Sequence, residues 1–211
     1  MSARFALAHV LTVMAGGATL AQSGLDRLTA RDQLFGWEAV GRLDIGQTGY
    51  CTGVLIAPNQ VLTAAHCLFD RARAPVPADK LRFRAGLRDG VAIAESGVRA
   101  YAVATGYDPA RGMAAPNVRR DAALLQLATP IPSAVAAPFA LHGAPAPGQR
   151  VSLVSYGRNR DEAPSWQRDC GMLWQQDALM AFDCDVIFGS SGAPVFARSG
   201  TRARILSLVS G

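Results

Sequence analysis

The chain has 211 residues, of which 50% are hydrophobic and 18% charged, and its formal net charge at pH 7 is +5. These values exclude a disordered or fibrous protein and predict a globular chain with a sizeable core. The positive charge comes from dispersed arginines, with Lys80 as the only lysine and no dense basic stripe, so nucleic acid is not an expected partner.

The first 21 residues have the composition of an export signal. Arg4 gives a positive start, residues 5–15 form an apolar run, and the small residues around Ala21 precede Gln22. This pattern predicts a signal peptide over residues 1–21 that is cleaved before Gln22, and hence a secreted or periplasmic protein. The alternative is an apolar N-terminal helix that stays on the chain. The run is too short for a transmembrane helix of about 20 residues, so no stable membrane insertion is expected.

The rest of the chain reads as short strands. Residues 22–36 are polar and unpatterned and are predicted to be a pro-segment or an N-terminal arm. From Trp37 onward, turn residues separate runs that favour β-structure and predict a β-sandwich or a pair of barrels. The Pro-rich stretch 129–138 divides the runs, which places one unit at 37–128 and the other at 129–211. The runs lie at 39–45, 50–57, 60–66, 81–86, 91–94, 98–107, 122–128, 150–157, 179–186, 193–197 and 203–210.

Helical periodicity is not sustained anywhere in these runs. The stretch "LTAAHCLF" at 62–69 is compatible with one helical turn at the end of its strand.

Four cysteines lie beyond the predicted signal: Cys51, Cys67, Cys170 and Cys184. An even number in an exported protein predicts disulfides, and four cysteines allow three pairings. We expect the two local pairs, Cys51 with Cys67 and Cys170 with Cys184, because each pair is close in sequence across a hairpin or adjacent strands. Metal binding is the alternative, but it needs clustered Cys and His spacings that the chain lacks. No metal and no cofactor are therefore expected.

The stretch "GSSGAPVF" at 189–196 predicts a tight turn that leads into a strand. Such a turn can be a plain loop, or it can expose Ser190 or Ser191 as a nucleophile, which then needs a base and an orienting acid. His66 is the candidate base, because it closes an apolar strand, whereas His142 lies in a Pro/Gly-rich loop. A purely structural histidine is the alternative.

Asp121 is the candidate orienting acid. It precedes "AALLQL", a run apolar enough to be largely buried, and a carboxylate that enters a core needs a partner. The alternatives are an ion pair with Arg119 or Arg120, or a cap at the start of the strand.

Three stretches together resemble the chymotrypsin-like (trypsin-fold) serine proteases, over residues 37–211. They are "CTGVLIAPNQVLTAAHC" at 51–67, "RDAALLQL" at 120–127 and "GSSGAPVF" at 189–196. The longer segment "DCDVIFGSSGAPV" at 183–195 is similar to the bacterial glutamyl-endopeptidase-like branch. The resemblance implies an all-β chain of two packed, six-stranded antiparallel barrels and an exported serine endopeptidase that works through an acyl-enzyme.

The resemblance also implies a role for each residue of the motifs. His66, Asp121 and Ser191 would form the catalytic triad, and the backbone N–H groups of Gly189 and Ser191 would form the oxyanion hole. In the digestive branch of the family an aspartate stands at the position of Ser190 and pairs with a newly released N-terminus. A serine can only form hydrogen bonds, so that ion-pair switch is not expected here.

Substrate recognition is implied at three positions. Asp185 aligns with the floor of the primary pocket and would favour Arg or Lys, although a plain turn residue is the alternative. A glutamate-selecting enzyme would carry a histidine where Val209 stands, which argues against that specificity. Ser210 and Gly211 fall on the strand that pairs with the substrate backbone.

Family members usually continue with a further hairpin and a C-terminal helix, so the second barrel is expected to lack that helix. Because of this missing segment, a non-catalytic protease homologue that acts as an extracytoplasmic binding module is the alternative function. The expected partner is a protein or peptide substrate, and the expected state is a monomer.

Overall fold

The computed structural model describes residues 24–47, 49–143, 145–146, 148–199 and 202–211. The predicted signal peptide and its cleavage site lie outside the described residues. Within the described ranges, none of the helices has the length and apolar character needed to cross a membrane.

The described chain is built mainly of strands, with short helical turns between them. The helical turns are 3-10 helices at Ala65–Leu68, Ala78–Lys80 and Pro109–Arg111 and the α-helix α1 at Ala115–Val118. The strands, in chain order, are β1 (Leu25–Arg27), β2 (Val40–Ile45), β3 (Gly49–Ala57), β4 (Gln60–Thr63), β5 (Leu81–Ala85), β6 (Ala94–Val103), β7 (Ala123–Leu127), β8 (Arg150–Ser155), β9 (Ser165–Gln176), β10 (Leu179–Phe182), β11 (Pro194–Ser199) and β12 (Arg202–Leu208).

Six antiparallel strands close into a barrel in the order β2-β3-β4-β7-β6-β5. Residues on these strands alternate between core and solvent, as in β7, where Ala123, Leu125 and Leu127 are buried and the residues between them are exposed. This period of two is what a sheet with one apolar face requires. Phe83 and Leu43 fill the centre of the barrel and are fully buried.

The second half is a six-stranded antiparallel sheet in the order β1-β9-β8-β11-β12, with β10 also paired to β9. The predicted all-β class with six strands in each half is therefore confirmed. Within the described residues the second sheet does not close into a barrel, because β12 at one edge pairs with neither β1 nor β10 at the other.

An aromatic cluster joins the barrel to the second sheet. The ring of Phe139 lies 4.6 Å from that of Phe196, and the ring of Trp37 lies 5.0 Å from that of Trp166 and 5.1 Å from that of Phe196. Val40 and Val54 of the barrel pack into the same cluster. Residues from both halves thus share one apolar core, which fixes the relative position of the elements that carry the site.

Both expected disulfides are confirmed. Cys51 on β3 is bonded to Cys67 in the 3-10 helix that follows β4, and Cys170 on β9 is bonded to Cys184 just after β10. Each bridge therefore closes a short local loop.

Three further local features differ from the sequence-based prediction. The longest strand, β9, was not predicted, because its charged and amide residues interrupt the apolar pattern and its last four residues are exposed. Residues 91–94 do not form a strand of their own, since β6 begins only at Ala94. The arm at 22–36 contains β1, and Leu28 and Leu34 that follow it are buried. The helical turn with which 62–69 is compatible is present as the 3-10 helix Ala65–Leu68.

Candidate active site

His66 lies in the 3-10 helix that follows β4. Its neighbours Ala65 and Cys67 are buried, whereas the imidazole keeps 35% of its side-chain surface exposed. The disulfide from Cys67 to Cys51 ties this helix to β3. Small buried neighbours and a covalent tie thus hold the histidine backbone while its ring stays accessible.

Asp121 binds His66 at two points. Its Oδ2 lies 2.6 Å from the Nδ1 of His66, and its Oδ1 accepts a 2.8 Å hydrogen bond from the backbone N–H of the same residue. An ionised carboxylate can only accept hydrogen bonds, so Nδ1 carries a proton, and in the neutral imidazole Nε2 then presents a lone pair. The alternative of an ion pair between Asp121 and Arg119 or Arg120 does not apply, because Arg119 pairs with Asp177 and Arg120 binds the carbonyl of Pro116.

Ser210 provides a further bond to this carboxylate, since its hydroxyl donates to Oδ2 of Asp121 at 2.5 Å. Burial by itself raises the pKa of Asp121, but the hydrogen bond and the charge of His66 and the hydrogen bond from Ser210 outweigh it, so the pKa is lowered. The sequence analysis placed Ser210 on the substrate strand and missed this contact, which bridges 89 residues.

A tight turn at residues 187–192, here called the serine turn, contains the candidate nucleophile. Gly189 and Gly192 have φ of +96° and +76°, a conformation that side chains rarely adopt. A Cβ on Gly189 would also lie 2.9 Å from Cζ of Tyr50. Glycine is therefore required at Gly189 both by its backbone angle and by the close approach of the tyrosine ring.

The two serines of the turn differ in availability. Ser190 is 1% exposed, and its hydroxyl binds the carbonyl of Tyr156, whereas Ser191 is partly exposed. The structure records no hydrogen bond of the Ser191 hydroxyl, to His66 or to any other described residue. The backbone N–H groups of Gly189 and Ser191 likewise donate to no acceptor in the described part of the chain. A hydroxyl and two backbone donors of the serine turn thus have no hydrogen-bond partner among the described residues.

Thr52 is a buried residue of the site that the sequence analysis missed. Its hydroxyl donates to the carbonyl of Gly189 at 2.9 Å, and its backbone N–H donates to the carbonyl of Ser191 at 2.8 Å. These bonds connect β3 of the barrel directly to the serine turn. The only sequence signal was its place beside Cys51 in the first motif.

A cleft of about 500 Å³ lies next to these elements. Asp121, Ser210 and Gly211 line it together with apolar residues of the β9–β10 hairpin, whereas His66 and Ser191 are not among its lining residues. Asp185 is exposed and does not line the cleft either, and its backbone N–H binds the side-chain oxygen of Gln167. A role for Asp185 in substrate selection stays a prediction.

Three solved structures with the same fold are proteases. The structure of a Glu endopeptidase is 19% identical, with a TM-score of 0.72, and the match covers 89% of this chain and 85% of that chain. A thermostable serine protease, AL20, from an extremophilic microorganism is 18% identical over 82% of this chain and 85% of its own, with a TM-score of 0.67. The protease Anisep from Arthrobacter nicotinovorans is 18% identical over 82% and 84%, with a TM-score of 0.66.

These structures confirm the trypsin-like fold, including its likeness to the glutamyl-endopeptidase branch. The sequence matches none of the curated proteins with which it was compared. The family model of the trypsin-like peptidase domain matches residues 51–202, which is well over half of the chain. The chain therefore belongs to the trypsin-like peptidase family.

Proposed function

We propose that the protein is an exported serine endopeptidase with Ser191 as nucleophile, His66 as base and Asp121 as orienting acid. Ser191 Oγ attacks the scissile carbonyl carbon while Nε2 of His66 takes its proton. The imidazolium then gives this proton to the leaving amine as the peptide bond breaks, which leaves an acyl-enzyme. Water, deprotonated by the same histidine, hydrolyses the ester and frees Ser191.

The observation that carries the proposal is the two-point contact between Asp121 and His66. One carboxylate oxygen holds the ring at Nδ1 and the other holds the backbone of the same residue, so the imidazole is fixed in both tautomer and orientation. A buried carboxylate in this place also stabilises the imidazolium that forms during attack. A merely structural histidine has no need of this arrangement.

The serine turn supplies the second requirement of acyl transfer, which is stabilisation of the oxyanion. The N–H groups of Gly189 and Ser191 make no hydrogen bond within the described residues, so they can donate to the developing charge. Preorganised donors of this kind are worth about 10²- to 10³-fold each in turnover.

The remaining parts of the proposal concern substrate and location. An extended peptide would pair with the backbone of Ser210 and Gly211, which line the cleft, and Asp185 would favour Arg or Lys beside the cut bond. Two disulfides suit an oxidising compartment outside the cytoplasm and support export.

A fluorophosphonate probe tests the nucleophile directly, because it forms a covalent bond only with an activated serine. The disulfide-bonded protein without residues 1–21 is expected to be labelled, and Ser191→Ala is expected to abolish the label. Ser152→Ala on β8 serves as the matched serine control and is expected to label like the parent protein. Absence of labelling in the folded parent protein would contradict the enzyme proposal and favour the binding module.

Cleavage of a peptide library by the same protein tests the substrate proposal. Cuts after Arg or Lys that are lost in Asp185→Asn would support the role of Asp185. Cuts without side-chain preference, or a preference unchanged in that variant, would remove Asp185 from the substrate site while leaving the catalytic proposal intact.

A further inference from the structure

We propose that Arg160 is a positioning residue that holds the serine turn in the conformation that presents its two backbone donors. This inference rests on the proposed function, since it concerns the same oxyanion site. Arg160 ends a tight turn at residues 157–160, closed by a 2.8 Å hydrogen bond from its backbone N–H to the carbonyl of Gly157. The turn lies directly against the serine turn.

The guanidinium of Arg160 joins the end of β8 to the serine turn. Its Nη1 donates to the carbonyl of Ser155 at 2.6 Å, and its Nη2 donates to the hydroxyls of Ser155 at 3.1 Å and of Ser190 at 3.0 Å. Ser155 and Ser190 are both buried. The planar fork of an arginine can reach these acceptors at once, which the single ammonium of a lysine cannot do with the same geometry.

The Ser190 hydroxyl is saturated by its neighbours. It accepts from Arg160 and, at 3.2 Å, from the backbone N–H of Ile187, and it donates to the carbonyl of Tyr156 at 3.1 Å. A hydroxyl has one proton and two lone pairs, so no bonding capacity is left. The side chain that precedes the nucleophile is thus fixed from three sides, and the arginine is the only charged partner among them.

The same 157–160 turn also orients the oxyanion donor of Gly189. The backbone N–H of Arg158 donates to the carbonyl of Phe188 at 2.8 Å. Because the Phe188–Gly189 peptide is planar and trans, the N–H of Gly189 points to the opposite side, away from the 157–160 turn. On the barrel side, the hydroxyl of Thr52 donates to the carbonyl of Gly189 and fixes the next peptide. A rotation of this peptide would break the bond to Arg158, and a shift of the 157–160 turn would permit that rotation.

Arg160 is half-buried, and its guanidinium forms no ion pair with a described carboxylate. Burial lowers the pKa of Arg160 and outweighs the attraction of Tyr50 and Asp185, which raises it. Removing a charge from water is costly unless hydrogen bonds compensate, and here all of the side-chain bonds go to Ser155 and Ser190. The close packing is reciprocal, since a Cβ on Gly157 would lie 2.8 Å from Cζ of Arg160.

Kinetics of Arg160→Ala test the inference, with Arg150→Ala as the matched control because Arg150 pairs with Asp169 on the exposed face. On a peptide that the parent protein cleaves, Arg160→Ala is expected to lower kcat by about 10- to 100-fold with little change in KM, since only the transition state uses the oxyanion donors. Millimolar guanidinium chloride should restore part of kcat, and equal sodium chloride should not. Arg160→Lys should be intermediate.

A double variant tests whether Arg160 acts through Ser190. Ser190→Ala combined with Arg160→Ala is expected to be no slower than Arg160→Ala alone, because the second change removes a contact that is already lost. Fully additive losses would overturn the positioning role, as would a kcat of Arg160→Ala equal to that of Arg150→Ala.

Hydrogen exchange separates failure of this inference from failure of the proposed function. Arg160→Ala is expected to speed exchange over residues 187–193, where the N–H of Ser190 is bonded to Ile187, and Arg150→Ala is not. This readout needs no activity. If Arg160→Ala exchanges faster but the probe does not label the parent protein, the contact between Arg160 and the serine turn is supported and the enzyme proposal is rejected. If the probe labels the parent protein but Arg160→Ala changes neither exchange nor kcat, only the positioning role of Arg160 is rejected.

Discussion

The two sides of the candidate site are built on different supports. His66 and Asp121 follow or precede strands of a closed barrel, and they contact each other directly through two hydrogen bonds. Ser191 lies in a turn of the second, open sheet, and its hydroxyl makes no hydrogen bond with a described residue. The candidate base and its candidate acid thus contact each other within one half, whereas the candidate nucleophile is held by contacts from several segments.

The two halves hold their parts of the site in place by different means. On the barrel side, a disulfide, a 3-10 helix and a buried carboxylate define the histidine locally. On the serine side, two glycines with positive φ form the turn, and Thr52 and the 157–160 turn hold it from outside. Substitutions in the first half should therefore disturb proton transfer, and those in the second should disturb the oxyanion donors.

The largest expected loss of activity comes from a substitution on the barrel side of the site. Asp121→Asn is expected to lower kcat by about 10⁴-fold, because an amide favours the wrong tautomer of His66 and cannot stabilise the imidazolium. Hydrolysis of a library-selected peptide measures the loss, and circular dichroism checks that the fold is kept. A folded variant with activity within about tenfold of the parent protein would contradict the role of Asp121.

The next largest expected loss of activity comes from a substitution in the serine turn. Gly189→Ala is expected to reduce turnover by about 10²-fold or more, since alanine disfavours a φ of +96° and its Cβ meets the ring of Tyr50. The double variant with Tyr50→Ala relieves the contact but not the backbone strain, so it should recover only part of the activity. Full recovery would show that the tyrosine clash alone matters.

Each half of the protein has one disulfide, so the contributions of the two bridges to stability can be compared directly. The bridges join residues 16 and 14 positions apart, so the loop-entropy model predicts that removing either one by paired Cys→Ala changes costs about 3 kcal/mol. Urea unfolding of Cys51→Ala/Cys67→Ala and of Cys170→Ala/Cys184→Ala measures the two free energies. A gap larger than about 2 kcal/mol would show that the halves depend unequally on their bridges.

The smallest effect concerns acid pH and the link between the halves. Since the pKa of Asp121 is lowered, its ionised form stabilises the fold above the ordinary pKa of about 3.9, and this contribution is lost as the pH falls through the folded-state value. Ser210→Ala removes one of the hydrogen bonds responsible. The variant should be less stable than the parent protein at pH 7 by about 1–2 kcal/mol, and the gap should narrow below pH about 4.

Urea unfolding at several pH values checks this expectation, with Ser152→Ala as the control. If the difference in unfolding free energy between Ser210→Ala and the parent protein stays constant from pH 7 to acid pH, Ser210 stabilises the protein without acting through the Asp121 carboxylate. If the difference between Ser152→Ala and the parent protein narrows in the same way, the effect belongs to the fold as a whole.

Much of the barrel was predictable from the sequence, because its strands alternate apolar and polar residues and are separated by turn residues. The second sheet was harder to predict from the sequence. Its central strand β9 carries charged and amide residues and has an exposed end, so the pattern of burial is interrupted. The short β1 is a strand only because it pairs with β9, which no local signal reveals.

The sequence by itself determined the all-β class and the local pairing of the cysteines, and its resemblance to the serine proteases gave the candidate triad, because each of these depends on residue type and on patterns within short stretches. Only the tertiary structure decided that Ser210, Thr52 and Arg160 support the site, that Asp185 stays outside the cleft, and that the second sheet is open. The physical reason is distance along the chain. A hydrogen bond such as that from Thr52 to Gly189 spans 137 positions and exists only after both halves have packed on their shared aromatic core.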